Sequence, residues 1–345
     1  MVVWRKAQPA KKKAEVVTPA KHADRVLVIQ LGELTAFVQA LAAAKRIRDF
    51  HVGARITLLT TEGTRELAEK CPYFDTIEAD GKPTEPQAIT KLIARIRTAK
   101  YDMVYDLEGS SRTVNYFQGM RPWPPQWSGP ASGASHRYVA ERSQKHPLDR
   151  YAAQLEAAGI ASPDPLVPEI SWVRAALRDA PRLQPDFFGI RGRYVLMLPR
   201  GGDAEPGRCW SQEKYIELAR RMVRRGVTPV ILGTAEVRPI GAAIAAAEPA
   251  AKNLVTRADL FQSIGLAERA ALGLGDDVEL MHVAAAAGAT CVTFLSALVR
   301  PEETAPRGKG GVVALTASVV ADLPVEQVER QLRNCGVYID HAATA

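Results

Sequence analysis

Long hydrophobic runs and paired cysteines are what this 345-residue sequence lacks. No stretch approaches the roughly 20 consecutive apolar residues that a membrane-spanning helix needs. The four cysteines lie far apart and form no C-x-x-C pair, which argues against a disulfide framework and against a structural zinc site. No other spacing typical of metal ligands is present, so the sequence predicts no bound metal.

Aromatic residues are also scarce, at 6% of the chain, whereas hydrophobic residues make up 47% and charged residues 24%. This composition is typical of a globular protein, and the length suits two domains of ordinary size. The first residues carry charges after an apolar start, with no apolar core behind them. That pattern is unlike a secretory signal, so we expect a cytoplasmic protein.

The net charge of +7 is concentrated in part at the beginning of the chain, in residues 1–24. We favour a solvated, disordered leader there. The alternative is peripheral contact with the anionic inner membrane face, to which each basic residue would add about 1 kcal/mol. Nucleic acid is not expected as a partner, because no recognition module accompanies the charge. The basic residues concerned are Arg5, Lys6, Lys11, Lys12, Lys13 and Lys21.

Short apolar, β-branched runs alternate with helical patterns through the rest of the chain. This alternation predicts right-handed βαβ units and parallel sheets that are buried on both faces. The predicted strands are 26–31, 55–60, 76–79, 101–107, 194–199, 228–233, 253–255, 271–275, 290–295 and 312–316. The predicted helices are 36–50, 63–70, 86–99, 146–160, 211–225, 236–247, 259–268, 279–287 and 324–334.

The pattern occurs twice, which predicts an α/β protein with two Rossmann-like, doubly wound halves. Ligands are expected at the carboxyl ends of the strands. Segment 121–135, rich in Pro, Gly, Ser and Trp, is predicted to be a loop over a cleft. The predicted organisation is a leader (1–24), a first Rossmann-like domain (25–165), a linker (166–190), a second Rossmann-like domain (191–335) and a tail (336–345).

Two groups of segments carry a resemblance to a known family. The first half contains VLVIQLGELTAFVQAL, GARITLLTT, CPYFDTI and YDMVYDLEGSSRTVNYF, and the second contains LPRGGDAEPGRCWSQEKYIELA, GVTPVILGTAEVRP and GDDVELMHVAAAAGATCVTFLS. Together they resemble the glycosyltransferase family 9 proteins, the lipopolysaccharide heptosyltransferases and their relatives. The resemblance implies the GT-B fold, with an acceptor-side first domain and a nucleotide-sugar-side second domain facing a central cleft.

The family's proton acceptor is absent from its expected position. In the family, a glycine and an aspartate begin the first helix, and the aspartate removes the proton of the acceptor hydroxyl. The matching residues here are Thr35 and Ala36. Because a methyl group accepts no proton, and loss of a general base costs roughly 10²–10⁴-fold in rate, the sequence predicts impaired catalysis. Glu33 is a candidate substitute, although an exposed loop carboxylate is the favoured interpretation.

The donor side is also altered. The family's Lys-Arg-Trp-Pro motif, whose lysine meets the donor diphosphate, corresponds to RCWS at 208–211. Arg208 keeps the positive charge and can bind phosphate bidentately, and Arg200 adds a second charge in the same loop. The family glutamate that is associated with the ribose falls at Val237. Either the adjacent Glu236 fills that role through a shift of one residue, or the contact is lost.

The family's diphosphate-binding turn is changed as well. Its Asn-Asp-Thr/Ser-Gly-Pro-Met-His motif corresponds to DDVELMH at 276–282, so Asp277, Met281 and His282 match. The resemblance places these three on the donor side. Glu279 replaces the glycine that lets a phosphate approach the helix N-terminus. At ~4 Å and an effective dielectric constant of ~20, one such repulsion costs about 4 kcal/mol.

Four further sites have a family counterpart or lie near the expected cleft. The family's Thr-Gly-x-Thr turn corresponds to VTRA at 255–258. His146 and Asp149 match a His-x-x-Asp/Glu-Arg pattern and would line the acceptor side. Alternatively, Asp149 only favours the positive end of a helix, which is the interpretation we prefer. Glu108 follows a predicted strand at the cleft edge and receives no role.

The sequence therefore supports two hypotheses. In the first, the protein is a heptosyltransferase-like enzyme that ancestrally moved a heptose-type sugar from an ADP-sugar to a lipopolysaccharide-core-type acceptor, and its catalysis is impaired. In the second, it is a non-catalytic GT-B scaffold that binds a nucleotide, a saccharide or a protein partner. No cofactor is predicted apart from the nucleotide-sugar donor of an active enzyme.

Overall fold

A computed structural model describes residues 22–140, 146–201, 207, 209–276 and 278–338. Most of the predicted leader and tail, together with Arg208 and Asp277, lie outside these ranges. Within them, no helix has both the length and the apolar character that crossing a bilayer requires.

The strands and helices alternate along the chain as the sequence predicts. The strands are β1 Arg25–Ile29, β2 Arg55–Leu59, β3 Thr76–Glu78, β4 Met103–Asp106, β5 Gln126–Gly129, β6 His136–Arg137, β7 Tyr194–Leu198, β8 Thr228–Ile231, β9 Lys252–Asn253, β10 Leu272–Asp276, β11 Cys291–Ser296 and β12 Val312–Ala317. The helices are α1 Leu34–Phe50, α2 Glu62–Ala68, α3 Pro86–Thr98, α4 Ser111–Gly119, α5 Pro147–Ala157, α6 Trp172–Ala176, α7 Gln212–Val223, α8 Arg238–Ala247, α9 Leu260–Arg269, α10 Glu279–Ala286, α11 Pro301–Thr304 and α12 Val325–Asn334.

The strands form two parallel sheets with the same winding. The first has the order β3-β2-β1-β4-β5-β6 and the second the order β12-β11-β10-β7-β8-β9. In each sheet the chain runs outward on one side and then crosses back to the other, so strand order reverses between β1 and β4 and between β7 and β10. These two topological switch points are where open α/β sheets bind ligands.

Helix α1 joins the two halves because it packs against both α5 and α10. Its inner face is rich in buried alanine, including Ala40 and Ala43, and small side chains let neighbouring helices approach closely. Phe37 of α1 and Met281 of α10 belong to one continuous hydrophobic core that includes residues of both sheets. The first turn of α1 is therefore held between the two switch points.

The prediction of a loop throughout 121–135 is wrong, because part of this segment is a strand. Residues Gln126–Gly129 form β5, which pairs with β4 inside the first sheet. Trp127 is completely buried there and packs edge-on against Phe117 of α4, with ring centroids 5.3 Å apart. The prediction missed the strand because four residues between prolines and glycines carry too little periodicity, whereas burial of one indole stabilises it. Helix α4 was also not predicted.

The segment predicted to be a linker, 166–190, is packed against the second half. It contains α6, and the backbone N–H of Ile170 donates to the carbonyl of Ala286 at 3.0 Å. Leu183 is completely buried, and its carbonyl lies so close to Gly265 that a Cβ there would be only 2.5 Å from the oxygen. The exact domain boundaries stay a prediction.

Candidate functional site

Two cavities lie at the carboxyl ends of the strands. The larger, which we call the C-terminal cavity, has a volume of about 760 Å³ and is lined by Arg200 after β7, Glu236 after β8 and Glu279 of α10. The smaller, the N-terminal cavity, has a volume of about 270 Å³ and includes Ala36 of α1 and Glu108 after β4. Each cavity is therefore at the switch point of its own sheet.

Asp276, the last residue of β10, holds in place the loop that carries Arg200 to the C-terminal cavity. Its Oδ2 accepts hydrogen bonds from the backbone N–H of Arg200 at 2.8 Å and from the Tyr215 hydroxyl at 3.0 Å. Its Oδ1 accepts from the backbone N–H of Trp210 at 2.8 Å. Burial raises the pKa of Asp276 to about 6. The carboxylate thus ties the loop after β7 and the start of α7 to the end of β10.

The loop after β7 also packs tightly on the neighbouring turn. A Cβ at Gly201 would lie 2.2 Å from the carbonyl carbon and oxygen of Glu236. A side chain at this position would therefore force the two loops apart. The glycine allows Arg200 and Glu236 to line the same cavity.

Carboxylates outnumber cations in the described wall of the C-terminal cavity. Glu236, Asp259 and Glu279 line it, whereas Arg200 is the single cation among the described lining residues. Asp259 caps α9 through the backbone N–H of Gln262 and lies 3.6 Å from a guanidinium nitrogen of an arginine outside the cavity lining. Glu236 and Glu279 are exposed. The described wall is therefore net negative at neutral pH.

Thr256 adds a strained residue to this wall. Its φ of +58° lies in the left-handed region, which a β-branched side chain adopts only at a cost. Its backbone N–H donates to the carbonyl of Gly233 at 3.1 Å, which joins the loop after β9 to the loop after β8. Thr256 stands where the family resemblance expects glycine, the residue that adopts a positive φ without this cost.

Three neutral hydrogen-bonding side chains, those of Gln30, Tyr151 and Gln154, line the N-terminal cavity together with the cationic Arg150. The Gln30 amide donates to the Tyr151 hydroxyl at 3.1 Å, and its Oε1 accepts from the backbone N–H of Gly32 at 2.7 Å. The Gln154 amide donates to the carbonyl oxygens of Asp106 and Ser128 at 3.0 and 3.2 Å. These bonds fix the loops after β1, β4 and β5 relative to α5.

Two carboxyl groups line the same cavity. Asp106 is 1% exposed; its Oδ1 accepts from the backbone N–H of Gly109 at 2.9 Å, and its buried Oδ2 has no hydrogen-bond partner among the described residues. Burial raises the pKa of Asp106 to about 7, and the nearby charge of Glu108 acts in the same direction. Glu108 is half-buried, and its Oε2 accepts from the backbone N–H of Leu31 at 3.1 Å.

The first turn of α1 separates the two cavities. Leu34 lines the C-terminal cavity, whereas Ala36, two residues later, lines the N-terminal cavity. Gln39, one turn further on, also lines the N-terminal cavity. Its amide donates to Nδ1 of His282 at 3.2 Å, and His282 belongs to α10, the helix whose first residues line the C-terminal cavity. The two cavities are therefore neighbours across one helical turn.

The residues predicted on the acceptor side contact the second half instead of lining the N-terminal cavity. His146 is the N-cap of α5: its Nδ1 accepts from the backbone N–H of Leu148, and its Nε2 donates to the carbonyl of Ala305, both at 3.2 Å. Asp149 accepts two bonds from the Arg307 guanidinium at 2.5 and 2.9 Å. Burial lowers the pKa of His146, and the Arg307 bonds lower the pKa of Asp149.

The remaining predicted residues are divided. Arg200 and Glu236 line the C-terminal cavity, and their donor-side role stays a prediction. Met281 is completely buried in the core, and His282 is 8% exposed and bonded to Gln39; neither is among the lining residues. Glu33 is an exposed N-cap of α1 without a side-chain capping bond, and it lines neither cavity.

Sequence reasoning missed most of the N-terminal cavity. Gln30, Tyr151 and Gln154 received no role, and Glu108 was noticed only as a residue at the cleft edge. Gln30 and Glu108 each follow a buried strand next to the switch point, which is the signal that would have selected them. No local pattern marks Tyr151 and Gln154, because their roles depend on the packing of α5 across three loops.

Two doubly wound sheets that meet across a cleft, with adjoining cavities at their switch points, define a GT-B protein. The model of the family "Glycosyltransferase family 9 (heptosyltransferase)" matches residues 89–319, about two thirds of the chain. The chain belongs to glycosyltransferase family 9, which confirms the resemblance and the fold class expected from the sequence.

Solved structures share this fold at low sequence identity. A glycosyl transferase family 9 structure from Veillonella parvula DSM 2008 has a TM-score of 0.77 and 17% identity, over 92% of this chain and 98% of that one. The E. coli ADP-heptose lps heptosyltransferase II has a TM-score of 0.72 and 19% identity, over 90% and 98%. The E. coli heptosyltransferase WaaC with ADP has a TM-score of 0.69 and 15% identity, over 90% and 99%.

A curated glycosyltransferase candidate from Haemophilus influenzae is 28% identical over 79 residues. The match spans 23% of this chain and 23% of that relative. Similarity of sequence to a curated protein is therefore local, whereas similarity of fold extends over almost the whole chain.

Proposed function

We propose that this chain is a slow glycosyltransferase that takes a heptose-type sugar from an ADP-sugar and transfers it to a saccharide acceptor of the lipopolysaccharide-core type. The observation that carries the proposal is the pair of adjoining cavities at the two switch points, which suits a donor and an acceptor that must meet. The names of two E. coli relatives, an ADP-heptose heptosyltransferase and a heptosyltransferase with ADP, support this choice of donor.

In this proposal the donor occupies the C-terminal cavity. A volume of about 760 Å³ is within the usual range of pockets for small ligands. The hydroxyls of Thr234, Thr256 and Ser263 line it together with the guanidinium of Arg200. These groups offer hydrogen bonds to a ribose and a positive charge to a diphosphate. The proposal also includes the donor-side role that the family resemblance gives to Arg208, Asp277, Met281 and His282.

The proposed acceptor enters the N-terminal cavity, where amide and phenol groups match the hydroxyls of a saccharide. Ala36 lines this cavity at the position of the family's aspartate, and Glu279 brings a negative charge to the donor cavity. Both substitutions disfavour the reaction: one removes a proton acceptor and the other repels a diphosphate. We therefore expect slow transfer rather than the rate of an enzyme with the intact motifs.

The test is ADP release by the purified full chain. ADP-heptose and a lipid A–Kdo acceptor are incubated at high protein concentration, and ADP is measured over time. Acceptor-dependent release over several turnovers is the expected result. The variant Thr35→Gly with Ala36→Asp restores the family pair and should release ADP faster, by up to roughly 10²-fold. If the wild-type chain releases no acceptor-dependent ADP, the proposal is wrong, whatever the variant does.

A second candidate function is a non-catalytic scaffold that binds a nucleotide, a saccharide or a protein partner. The net negative described wall of the C-terminal cavity favours it, because such a wall binds a diphosphate weakly. Calorimetric titration with ADP distinguishes the two. Binding without ADP release supports a nucleotide-binding scaffold, and absence of binding at millimolar ADP supports a scaffold for another partner.

A cytoplasmic location with peripheral contact at the inner membrane is part of the same proposal. The support is the cluster of basic residues in the first 21 residues, which lie outside the described structure. Co-sedimentation with vesicles that contain anionic lipid, compared between the full chain and a chain without residues 1–21, measures this contribution. Equal binding of the two chains would contradict it.

A further inference from the structure

The geometry points to Glu108 as the group that accepts the proton of the attacking hydroxyl, in place of the aspartate that the family has at the position of Ala36. This inference rests on the proposed function, since it concerns the transfer step of that reaction. Nothing in the sequence links the two positions, which are 72 residues apart; their meeting in one cavity is a property of the fold.

Glu108 lies in the cavity that the proposed acceptor enters. Glu108 and Ala36 line the same cavity, with a volume of about 270 Å³. The Leu31 backbone N–H donates to Oε2 of Glu108 at 3.1 Å, which fastens the carboxylate to the loop that leads into α1. A Cβ at Gly32, in that loop, would lie 2.6 Å from the Ala36 Cβ. Glu108 is therefore bonded to the same loop that packs on the methyl group of Ala36.

One carboxylate oxygen of Glu108 is available to accept a proton. Among the described residues, Oε1 of Glu108 accepts no hydrogen bond, and the side chain is half-buried, so one carboxylate oxygen remains open to a ligand. The other carboxyl groups are less suitable. Asp106 is 1% exposed and encloses its unpartnered Oδ2, whereas Glu33 is exposed and lines neither cavity.

The side chains around the Glu108 carboxylate can bind the hydroxyl groups of a sugar. Gln30, Tyr151 and Gln154 line the cavity with amide and phenol groups that are already held by one another and by the backbone. Such a set of fixed neutral donors and acceptors suits a hydroxyl-bearing sugar, and Arg150 adds one cationic side chain to the same lining. A general base works only when it is within hydrogen-bond reach of the proton that it removes.

The cavity that contains Glu108 adjoins the proposed donor cavity. Leu34 and Ala36 belong to one turn of α1 but line different cavities. The bond between Gln39 and His282 fixes α1 against α10 one turn later. A hydroxyl bound beside Glu108 is thus on the acceptor side of the same helical turn whose other side lines the donor cavity.

The step balances without any further reactant. The acceptor hydroxyl oxygen forms a bond to the anomeric carbon of the nucleotide sugar while its proton passes to Oε1 of Glu108. The bond between that carbon and the diphosphate oxygen breaks, and its electron pair leaves with the nucleoside diphosphate. The carboxylic acid then returns its proton to solvent.

The test compares Glu108→Gln with the wild-type full chain in the ADP-release assay, using ADP-heptose and the lipid A–Kdo acceptor. The amide keeps an oxygen for the Leu31 N–H, so the loop should be unchanged. We expect kcat to fall by roughly 10²–10⁴-fold, with the Kd for ADP within about twofold of wild type. Glu33→Gln is the matched control and should release ADP at the wild-type rate.

Chemical rescue separates a base from a residue that only positions the loop. In Glu108→Ala, added formate should restore a measurable part of kcat in proportion to its concentration, because the small carboxylate fits the space left by the side chain. Glu108→Gln should not respond to formate. Restoring the family pair, with Thr35→Gly and Ala36→Asp in the Glu108→Gln chain, should also recover turnover.

The outcomes are distinguishable. Wild-type turnover together with an unchanged kcat in Glu108→Gln overturns the inference and leaves the proposed function intact. A lower kcat that neither formate nor the Ala36→Asp pair restores also overturns it, since Glu108 then only positions the Leu31 loop. No ADP release by the wild-type chain refutes the proposed function itself, and with it the transfer step assigned to Glu108.

Discussion

Replacement of Asp106 by asparagine tests how the first switch point is built. Asp106 is 1% exposed, its Oδ1 accepts from the Gly109 N–H, and its buried Oδ2 has no partner among the described residues. Asparagine keeps the shape and an oxygen for Gly109 but carries no charge. The change therefore removes the cost of burying a carboxylate while leaving the loop after β4 in place.

The magnitude follows from the pKa. Burial, aided by the charge of Glu108, raises the Asp106 pKa from 3.8 to about 7, and each pH unit is worth 1.36 kcal/mol, about 4 kcal/mol in total. Because the folded-state pKa is the higher one, this group's stabilising contribution is fully present below pH ~4 and is lost as the pH rises through about 7. Between pH 5 and pH 8 the wild-type chain should lose about 2–3 kcal/mol through Asp106 alone.

Urea unfolding at pH 5 and pH 8 measures this directly. The free energy of unfolding of Asp106→Asn minus that of wild type should be about 2–3 kcal/mol higher at pH 8 than at pH 5, so the variant gains stability relative to wild type as the pH rises. Asp149→Asn is the control: the Arg307 bonds lower the Asp149 pKa, so its contribution is lost only in more acidic solution. If Asp106→Asn and wild type differ by the same amount at both pH values, the reasoning about the buried carboxyl is wrong.

Three further changes probe the walls of the cleft. Thr256→Gly replaces a β-branched residue at φ +58°. The relief of about 1–2 kcal/mol of backbone strain exceeds the cost of about 0.5–1 kcal/mol in chain entropy, so we expect a slightly higher Tm. A lower Tm would contradict this. Gly201→Ala places a Cβ 2.2 Å from the Glu236 carbonyl, so overpacking should lower the free energy of unfolding by about 1–3 kcal/mol, and an unchanged urea midpoint would refute it. Arg307→Ala removes the partly exposed pair with Asp149 and should lower the free energy of unfolding by less than about 1 kcal/mol in urea; a larger loss would show that the pair holds the halves together more strongly than its exposure predicts.

Prediction of the secondary structure succeeded for most elements with a local hydrophobic pattern, although it missed α4. The run VLVI makes up the last four residues of β1, and its continuous apolar character follows from burial on both faces of a parallel sheet. Prediction failed at β5, where Trp127 is buried through contact with α4 and no alternation precedes it. Short strands in the middle of a sheet are stabilised by their neighbours, so their own residues carry little information.

The candidate site divides in the same way. Ala36 and Glu279 were recognised because each replaces a residue of a known motif, and the structure shows both on cavity walls. His146 and Asp149 matched a motif too, yet they bond Ala305 and Arg307 of the second half. A motif records which residues occur together, whereas their contacts depend on where the opposite domain lies.

The sequence by itself determined the class of fold and the family, and it predicts the loss of the usual proton acceptor, because hydrophobic periodicity and motif residues are local properties of the chain. Only the tertiary structure decided which carboxylates line the same cavity as Ala36. Glu108 follows β4 and Ala36 begins α1, and they share a cavity because β1 and β4 are adjacent parallel strands whose carboxyl ends open on the same edge of the sheet. Strand order is set by the packing of the whole domain, so no segment of the sequence contains it.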